Sequence, residues 1–439
     1  VSETTYDPAR VRSLGEEILD FRHKAVPAAQ HGLRLADFGG RGLDRLQTPL
    51  LTLDRDALDF NARLLAAWCE ERGILLAPHG KTTMSPELWA QQMDLGAWGI
   101  TLANAAQLRV ARHFGFTRLM LANSLTDPQA IRWAAEQAAD GARIVSWVDS
   151  PDTVALLDRE LAGDGLGGNR TLDVIVERGG YGGRTGARSH GEALAIARAV
   201  HGSPRLRLVG VGGYEGALAH TADDAGLAAV RGYLADVVAL HEALLAEGLY
   251  DTDELLVTAG GSAYFDDVVD VLGPVRTSGG DGTPRVDVVI RSGAYIVHDD
   301  GFYRGISPFS RQDPDGPESF RSAMHAWVRV VSQPEPGLAI LEGGKRDLPF
   351  DEGLPVPQFL SAGLGEPGVP LDDAEITAVN DQHAFLRFPE TVDVKPGDVI
   401  RLGLSHPCTA LDKWTVIPVL DSTRDAAAPT VVGAVRTFF

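Results

Sequence analysis

Short apolar runs recur along this chain from Pro49 to about residue 300, and segments with the 3.6-residue period of an amphipathic helix separate most of them. The runs are LLTL (50–53), ILLA (74–77), GITL (99–102), RLMLA (118–122), RIVSWV (143–148), LDVIVE (172–177), RLVGV (207–211), LLVTA (255–259) and VDVVI (286–290). Helical periodicity is clearest over 57–72, 128–139 and 222–247. Such alternation predicts parallel strands joined by crossover helices, and the simplest closed form at this length is an eight-stranded (β/α)8 TIM barrel. The surplus run is the first. ILLA becomes barrel strand one, and LLTL is left to join another sheet.

Beyond about residue 300 the helical period fades, and prolines and glycines gather between 305 and 370. The strand-like pieces there are HAWVRVV (325–331), LAILE (338–342), AFLRF (384–388), VIRLGL (399–404), TVIPVL (415–420) and TVVGAVRTFF (430–439), with VKPGD (394–398) as a turn. They predict an antiparallel β domain over 301–439 behind a barrel over 46–300. Residues 1–45, with a helical pattern over 8–24 and a glycine-rich loop over 38–42, read as an N-terminal appendage.

Composition narrows the class. A chain of 439 residues, 44% hydrophobic and 23% charged, describes an ordinary globular protein with room for two cores. Its formal net charge of −20 disfavours nucleic acid and anionic membranes as partners. The first twenty residues are charged and lack the apolar stretch of a secretory signal, and no run is long enough to span a bilayer. The two cysteines, Cys69 and Cys408, lie too far apart to suggest a disulfide framework, so a reducing cytoplasm is expected. Cys69 falls in a helical pattern and reads as a small buried hydrophobe.

Candidate chemistry gathers at the predicted strand ends. PHGKTT (78–83) follows ILLA, and a helix is expected over 85–95. Burial lowers an amine's pKa, and a lysine tuned that way forms Schiff bases; taken alone, a lysine such as Lys81 is more often a surface lysine. TAGGS (258–262) and RSGAY (291–295) follow the seventh and eighth barrel strands, the usual phosphate site of such barrels, although either alone would pass for an ordinary turn. In GGYGGRTGAR (179–188), Arg184 either reaches a phenolate or carboxylate or rides a flexible loop. In GGYEGALAH (212–220), Tyr214 and His220 are cofactor contacts, or a core tyrosine and a solvated histidine. In SHPCTALDKW (405–414), His406 and Cys408 are two apart, a spacing that in a strand faces both to one side. Imidazole and thiolate together suit zinc; the alternative is a buried cysteine beside an unrelated histidine.

PHGKTT, GGRTG, GYEG, TAGG and HPC, in this order and spacing, resemble the fold-type III pyridoxal-phosphate enzymes. The nearest likeness is to the D-serine dehydratase and D-threonine aldolase group, relatives of alanine racemase, and it covers roughly residues 45 to 425. The resemblance implies an alanine-racemase-type barrel followed by a β domain, acting as a homodimer. It implies that Lys81 binds pyridoxal 5'-phosphate as a Schiff base, with His79 beside it. Arg184 matches the arginine that approaches the phenolic oxygen, and Tyr214 a tyrosine near the pyridine ring. Gly260, Gly261 and Ser262, with Gly293 and Tyr295, match the phosphate turns. His406 and Cys408 match the ligands of a zinc or manganese ion. The dehydratases resemble H-x-C and the aldolases H-x-D, so Cys408 points to loss of water from a small β-hydroxy-D-amino acid such as D-serine, giving a 2-keto acid and ammonia. Aldol cleavage to glycine and an aldehyde is the alternative. A non-catalytic cofactor-binding protein fits less well, because such proteins resemble the barrel without a β domain. A racemase fits less well, because racemisation needs a second base and no metal and leaves the HPC triplet unused. The family's Glu-His-Gly near the metal appears here as Gln382, His383 and Ala384, which leaves the role of His383 open.

Overall fold

The computed structural model describes residues 5–163, 171–311, 313–423 and 429–439. They sort into two units that are not contiguous in sequence. The first comprises 5–7, 66–81 and 92–293; the second comprises 8–65, 82–91 and 294–439.

Eight parallel strands build the first unit: Leu75–Leu76, Ile100–Leu102, Arg118–Ser124, Arg143–Val148, Leu172–Arg178, Leu206–Gly213, Glu254–Ala259 and Thr283–Ile290. Neighbours pair in chain order, and the last returns to the first through Val289↔Leu75 and Ile290↔Leu76. Strands one and two meet through a single bridge, His79↔Thr101, and a Trp98 N–H to Leu76 carbonyl bond of 2.7 Å. The sheet therefore curls back on itself. Its interior is filled by Ala77, Trp98, Met120, Val145, Trp147, Ile175, Val209, Leu256 and Val289, all buried. Each large apolar side chain so buried contributes about 1.5–3 kcal/mol.

The crossover helices start where capping residues stop the strand. Asn104, Asp127, Ser150 and Asp223 each accept a backbone N–H from the first turn of the following helix, and Pro128 and Pro151 occupy first-turn positions. Ser189 and Glu192 form a reciprocal capping box on helix His190–His201. An unanticipated short strand, Thr277–Gly280, folds back on the eighth barrel strand. The turn between them is Asp281-Gly282, with φ of 51° and 81°, the left-handed pair that a tight hairpin demands. Cys69 is buried, as its helical position predicted, and burial pushes its thiol up to about 12.

The second unit is an eleven-stranded, mostly antiparallel sheet. The LLTL run lies within it: Leu50–Asp54, buried throughout, sits between Met324–Trp327 (antiparallel) and Val419–Leu420 (parallel). Those pairings overrule the linear boundaries at 45 and 300. Residues 46–65, 82–91 and 294–300 go with the β sheet, and from Pro8 onward the N-terminal segment is part of this unit, not an appendage. The helix expected over 8–24 ends early, as Pro8–Ser13 and the tight turn Leu14–Glu16. Beyond it Glu17 is extended, Ile18 bridges Arg34, and Leu19 is fully buried between backbone bonds to Leu33 and Gly32. Tertiary pairing outweighs a local helical period there. The strands Val356–Ser361 and Glu375–Val379 went unread in the proline- and glycine-rich region and just after it; Pro357 donates no ladder bond, and register slips beside it. Among the described residues no helix is long and apolar enough to cross a membrane.

Candidate functional site

In the first unit, Lys81 lies on the tight turn Gly80–Thr82 just past barrel strand one. The backbone leading to it is pinned. Ala77 N–H donates to the Ile290 carbonyl (2.9 Å), Thr101 N–H to the Pro78 carbonyl (2.9 Å), and the buried Thr101 hydroxyl to the Ala77 carbonyl (2.7 Å). The chain therefore delivers Lys81 from a rigid strand end.

His79 is half-buried, and its Nδ1 is a buried atom with no hydrogen-bond partner. Desolvation, then the charges of Lys81, Arg291 and Arg184, hold its ring well below the usual imidazole range. Three cations thus act on one ring in a chain of net charge −20. Arg184 is exposed on its glycine-rich loop, with its guanidinium 5.3 Å from the centre of the Tyr214 ring. The loop is held by Arg188, which donates to the carbonyls of Thr185 (2.7 Å), Gly186 (3.0 Å), Gly183 (3.1 Å) and Arg184 (2.7 Å). His220 is exposed.

The TAGGS turn departs from expectation in its donors. The amides of Gly260 and Gly261, assigned by resemblance to a phosphate, each donate to the fully buried Glu215 carboxylate at 2.9 Å. Gly260 has φ +103°, where a side chain would be strained, and a Cβ on Gly261 would lie 3.0 Å from the Tyr214 ring. Ser262 is buried, and Ser292 Oγ donates to the Gly261 carbonyl (2.8 Å).

Beneath these turns lies Arg291, which the sequence reading passed over. It is buried, donates to Thr258 Oγ1 (2.6 Å) and the Gly213 carbonyl (2.5 Å), and lies 5.3 Å from the Trp147 ring centre. Desolvation lowers its pKa, and nearby Glu215 opposes the shift. Its only trace in the sequence is an arginine closing the apolar run VDVVI. A primary amine at a strand end, three cations acting on His79, an unpartnered buried imidazole nitrogen and close glycine turns fit a phosphate-bearing aldehyde cofactor.

The second unit holds the HPC triplet. His406 and Cys408 are not on a strand: the strand Val399–Gly403 ends before them, and Pro407 opens a short helix, Pro407–Leu411, with His406 as its cap at φ 48°. That cap turns the imidazole back toward Cys408. A hydrogen bond to Cys408, helped by the Asp351 charge, raises the ring to about 9. Nδ1 meets Asp351 Oδ2 at 2.6 Å, and Thr409 Oγ1 donates to Asp351 Oδ1 at 2.7 Å. Cys408 Sγ donates to Thr82 Oγ1 at 3.4 Å, and Thr82 follows Lys81 in the chain. His406 N–H donates to Oδ2 of the buried Asp299 (3.1 Å); burial pushes that carboxyl up to about 7 against four backbone donors.

Among the described residues no group of three or more His, Cys, Asp or Glu is arranged to hold a metal. The pair His406 and Cys408 supplies the nitrogen and sulfur donors of a borderline-soft cation, with further positions left to water or substrate, and so fits a catalytic ion. His383 is exposed at the turn where Asn380 N–H meets its carbonyl (2.8 Å). Gly293 closes the first unit; Tyr295 belongs to the second, buried 5.8 Å from the Phe320 ring centre.

A family model described as "Putative serine dehydratase domain" matches residues 323–420. The chain is 27% identical over 368 residues to a D-threonine aldolase of Arthrobacter sp, covering 84% of this chain and 87% of that one. The D-threonine aldolase structure from Filomicrobium marinum superposes with a TM-score of 0.73 at 24% identity, over 91% of this chain and 97% of that one. D-threo-3-hydroxyaspartate dehydratase from Delftia sp. HT23 gives 0.69 at 21%, over 91% and 99%. That dehydratase name also heads structures of a histidine-to-alanine mutant and of a cysteine-to-alanine mutant in the metal-free form, the two substituted positions lying two apart.

Proposed function

From its likeness to the fold-type III pyridoxal-phosphate family of the D-serine dehydratases and D-threonine aldolases, we propose that the chain eliminates water from a small β-hydroxy-D-amino acid, the dehydrated product taking water back to give a 2-keto acid and ammonia. The observation that carries this reading is the pairing of His406 with Cys408 on one turn. A histidine and a cysteine two apart are also the substituted pair in the dehydratase structures, one of them metal-free.

Pyridoxal phosphate supplies the electron sink for the pair left at Cα, and a divalent ion such as zinc, or manganese, supplies charge stabilisation at the β-oxygen. The remaining work belongs to the chain. Lys81 Nζ holds the cofactor in the resting enzyme and moves the proton at Cα. Arg184 and Tyr214 orient the ring. With the Gly260 and Gly261 amides engaged by Glu215, Ser262 supplies the donors of its turn to the phosphate. Arg291 and Trp147 close the barrel below and exclude water from that side. His406 and Cys408 hold the ion. Assembly as a homodimer, with activity lost on dissociation, is part of the same reading.

Aldol cleavage to glycine and an aldehyde is the second reading, favoured by the 27% identity to a D-threonine aldolase over most of both chains. A panel of β-hydroxy-D-amino acids separates the two. D-serine, D-threonine and D-threo-3-hydroxyaspartate are incubated with the purified protein, and products are identified by mass. Keto acid and ammonia support elimination. Glycine plus aldehyde replaces it with the aldolase reading, and the L-enantiomer alone overturns both.

A further inference from the structure

We propose that Asp351 is a positioning residue for His406: it accepts a hydrogen bond from Nδ1–H and so commits Nε2 to the metal. The inference rests on the reading of His406 and Cys408 as metal ligands, and goes beyond it by naming what aims the imidazole. Asp351 Oδ2 is 2.6 Å from Nδ1, and its other oxygen accepts the Thr409 hydroxyl at 2.7 Å. Both carboxylate oxygens are therefore engaged, and Asp351 is oriented toward the ring and not toward an ion. A neutral imidazole bound in this way carries its proton on Nδ1, and its lone pair lies on Nε2.

The backbone is held independently. His406 sits at φ 48°, a left-handed conformation uncommon for a residue with a side chain. Its N–H goes to Asp299 Oδ2 (3.1 Å), while Asp299 Oδ1 gathers the amides of Gly301 (3.1 Å), Tyr303 (2.8 Å) and Arg304 (3.3 Å). Its carbonyl accepts from Thr409 and Ala410, each at 3.2 Å. Asp299 thus fixes where the ring starts, and Asp351 fixes which nitrogen it presents. Sequence separations of 107 and 55 residues joined these groups, and no motif carried them.

The test is zinc affinity of the full chain, stripped of metal under reducing conditions and titrated against a chromophoric chelator. Asp351→Asn is expected to bind zinc about 10–100-fold more weakly than the parent. Asp351→Glu should recover part of the loss, and metal-free parent and variant should melt together. A parental affinity in Asp351→Asn overturns the proposal while leaving the metal reading intact. Parental affinity in Cys408→Ala and His406→Ala sinks the metal reading itself, and the proposal with it. If Asp351→Asn melts early, Thr409→Val carries the test, since it removes the hydroxyl that donates to Oδ1 at 2.7 Å and lies 3.3 Å from the His406 carbonyl, leaving the carboxylate itself in place: a severalfold loss supports the proposal, and no loss overturns it.

Discussion

Cys408 donates its thiol to Thr82 Oγ1 across 3.4 Å, and Thr82 is the next residue after Lys81. Cys408→Ala removes a sulfur donor from this position and nothing from the barrel. The variant is expected to keep its bound cofactor and its yellow colour. Its elimination rate should fall about a thousandfold or more, the scale of several kcal/mol of charge stabilisation at a leaving oxygen. Chelation of the parent should do the same. Full activity in the variant without added metal would return His406 and Cys408 to the status of packing residues.

Lys81 should carry the cofactor. Borohydride reduction followed by peptide mapping is expected to place the label within 78–84. The parent should absorb at roughly 410–430 nm, as a lysine Schiff base of this cofactor does, and Lys81→Ala should lose that band. A label elsewhere in the chain contradicts the assignment.

Glu215, itself fully buried, accepts two amides. Glu215→Ala strands both donors, at about 1–3 kcal/mol each, and releases the turn that Gly260 shapes. Lower stability in urea and weaker cofactor retention should appear together. Glu215→Gln, which keeps one carbonyl acceptor, should fall between the two. Unchanged retention in Glu215→Ala would separate Glu215 from the cofactor turn.

His241 is buried on helix Asp224–Ala246, with Nδ1 2.7 Å from the Tyr250 hydroxyl, and desolvation lowers its pKa to about 4. The folded state therefore binds fewer protons than the unfolded chain between roughly pH 4 and 6.5. The stabilisation is complete above the unfolded pKa and is lost as pH falls toward the folded one. His241→Gln does not titrate, so its stability deficit against the parent should shrink by about 2 kcal/mol between pH 7.5 and 5. A deficit independent of pH in denaturant titrations would show that His241 does not charge on unfolding in that range.

Much of the barrel was legible in the sequence because its strands are buried on both faces and read as unbroken apolar runs, several of them followed by a residue that caps the next helix, as Asn104, Asp127 and Ser150 do. RIVSWV and LDVIVE lie within one residue of the strands Arg143–Val148 and Leu172–Arg178 for that reason. The place of Lys81, just past a strand end, was legible because a charged residue after such a run is conspicuous. The tertiary structure decided what depends on distance across the chain. Leu50–Asp54 has no local feature that assigns it to one sheet over another; its hydrogen bonds to Met324–Trp327 and Val419–Leu420 do so. The helical period over 8–24 was local, and the pairing of Ile18 with Arg34 outweighed it. The two-residue spacing of His406 and Cys408 suggested a strand, whereas Pro407 and the Asp299 carboxylate made it a capped turn. Glu215, Arg291 and Asp351 stayed silent, because a carboxylate or guanidinium reveals its role only through the partner it meets, and each partner lies 33 or more residues away.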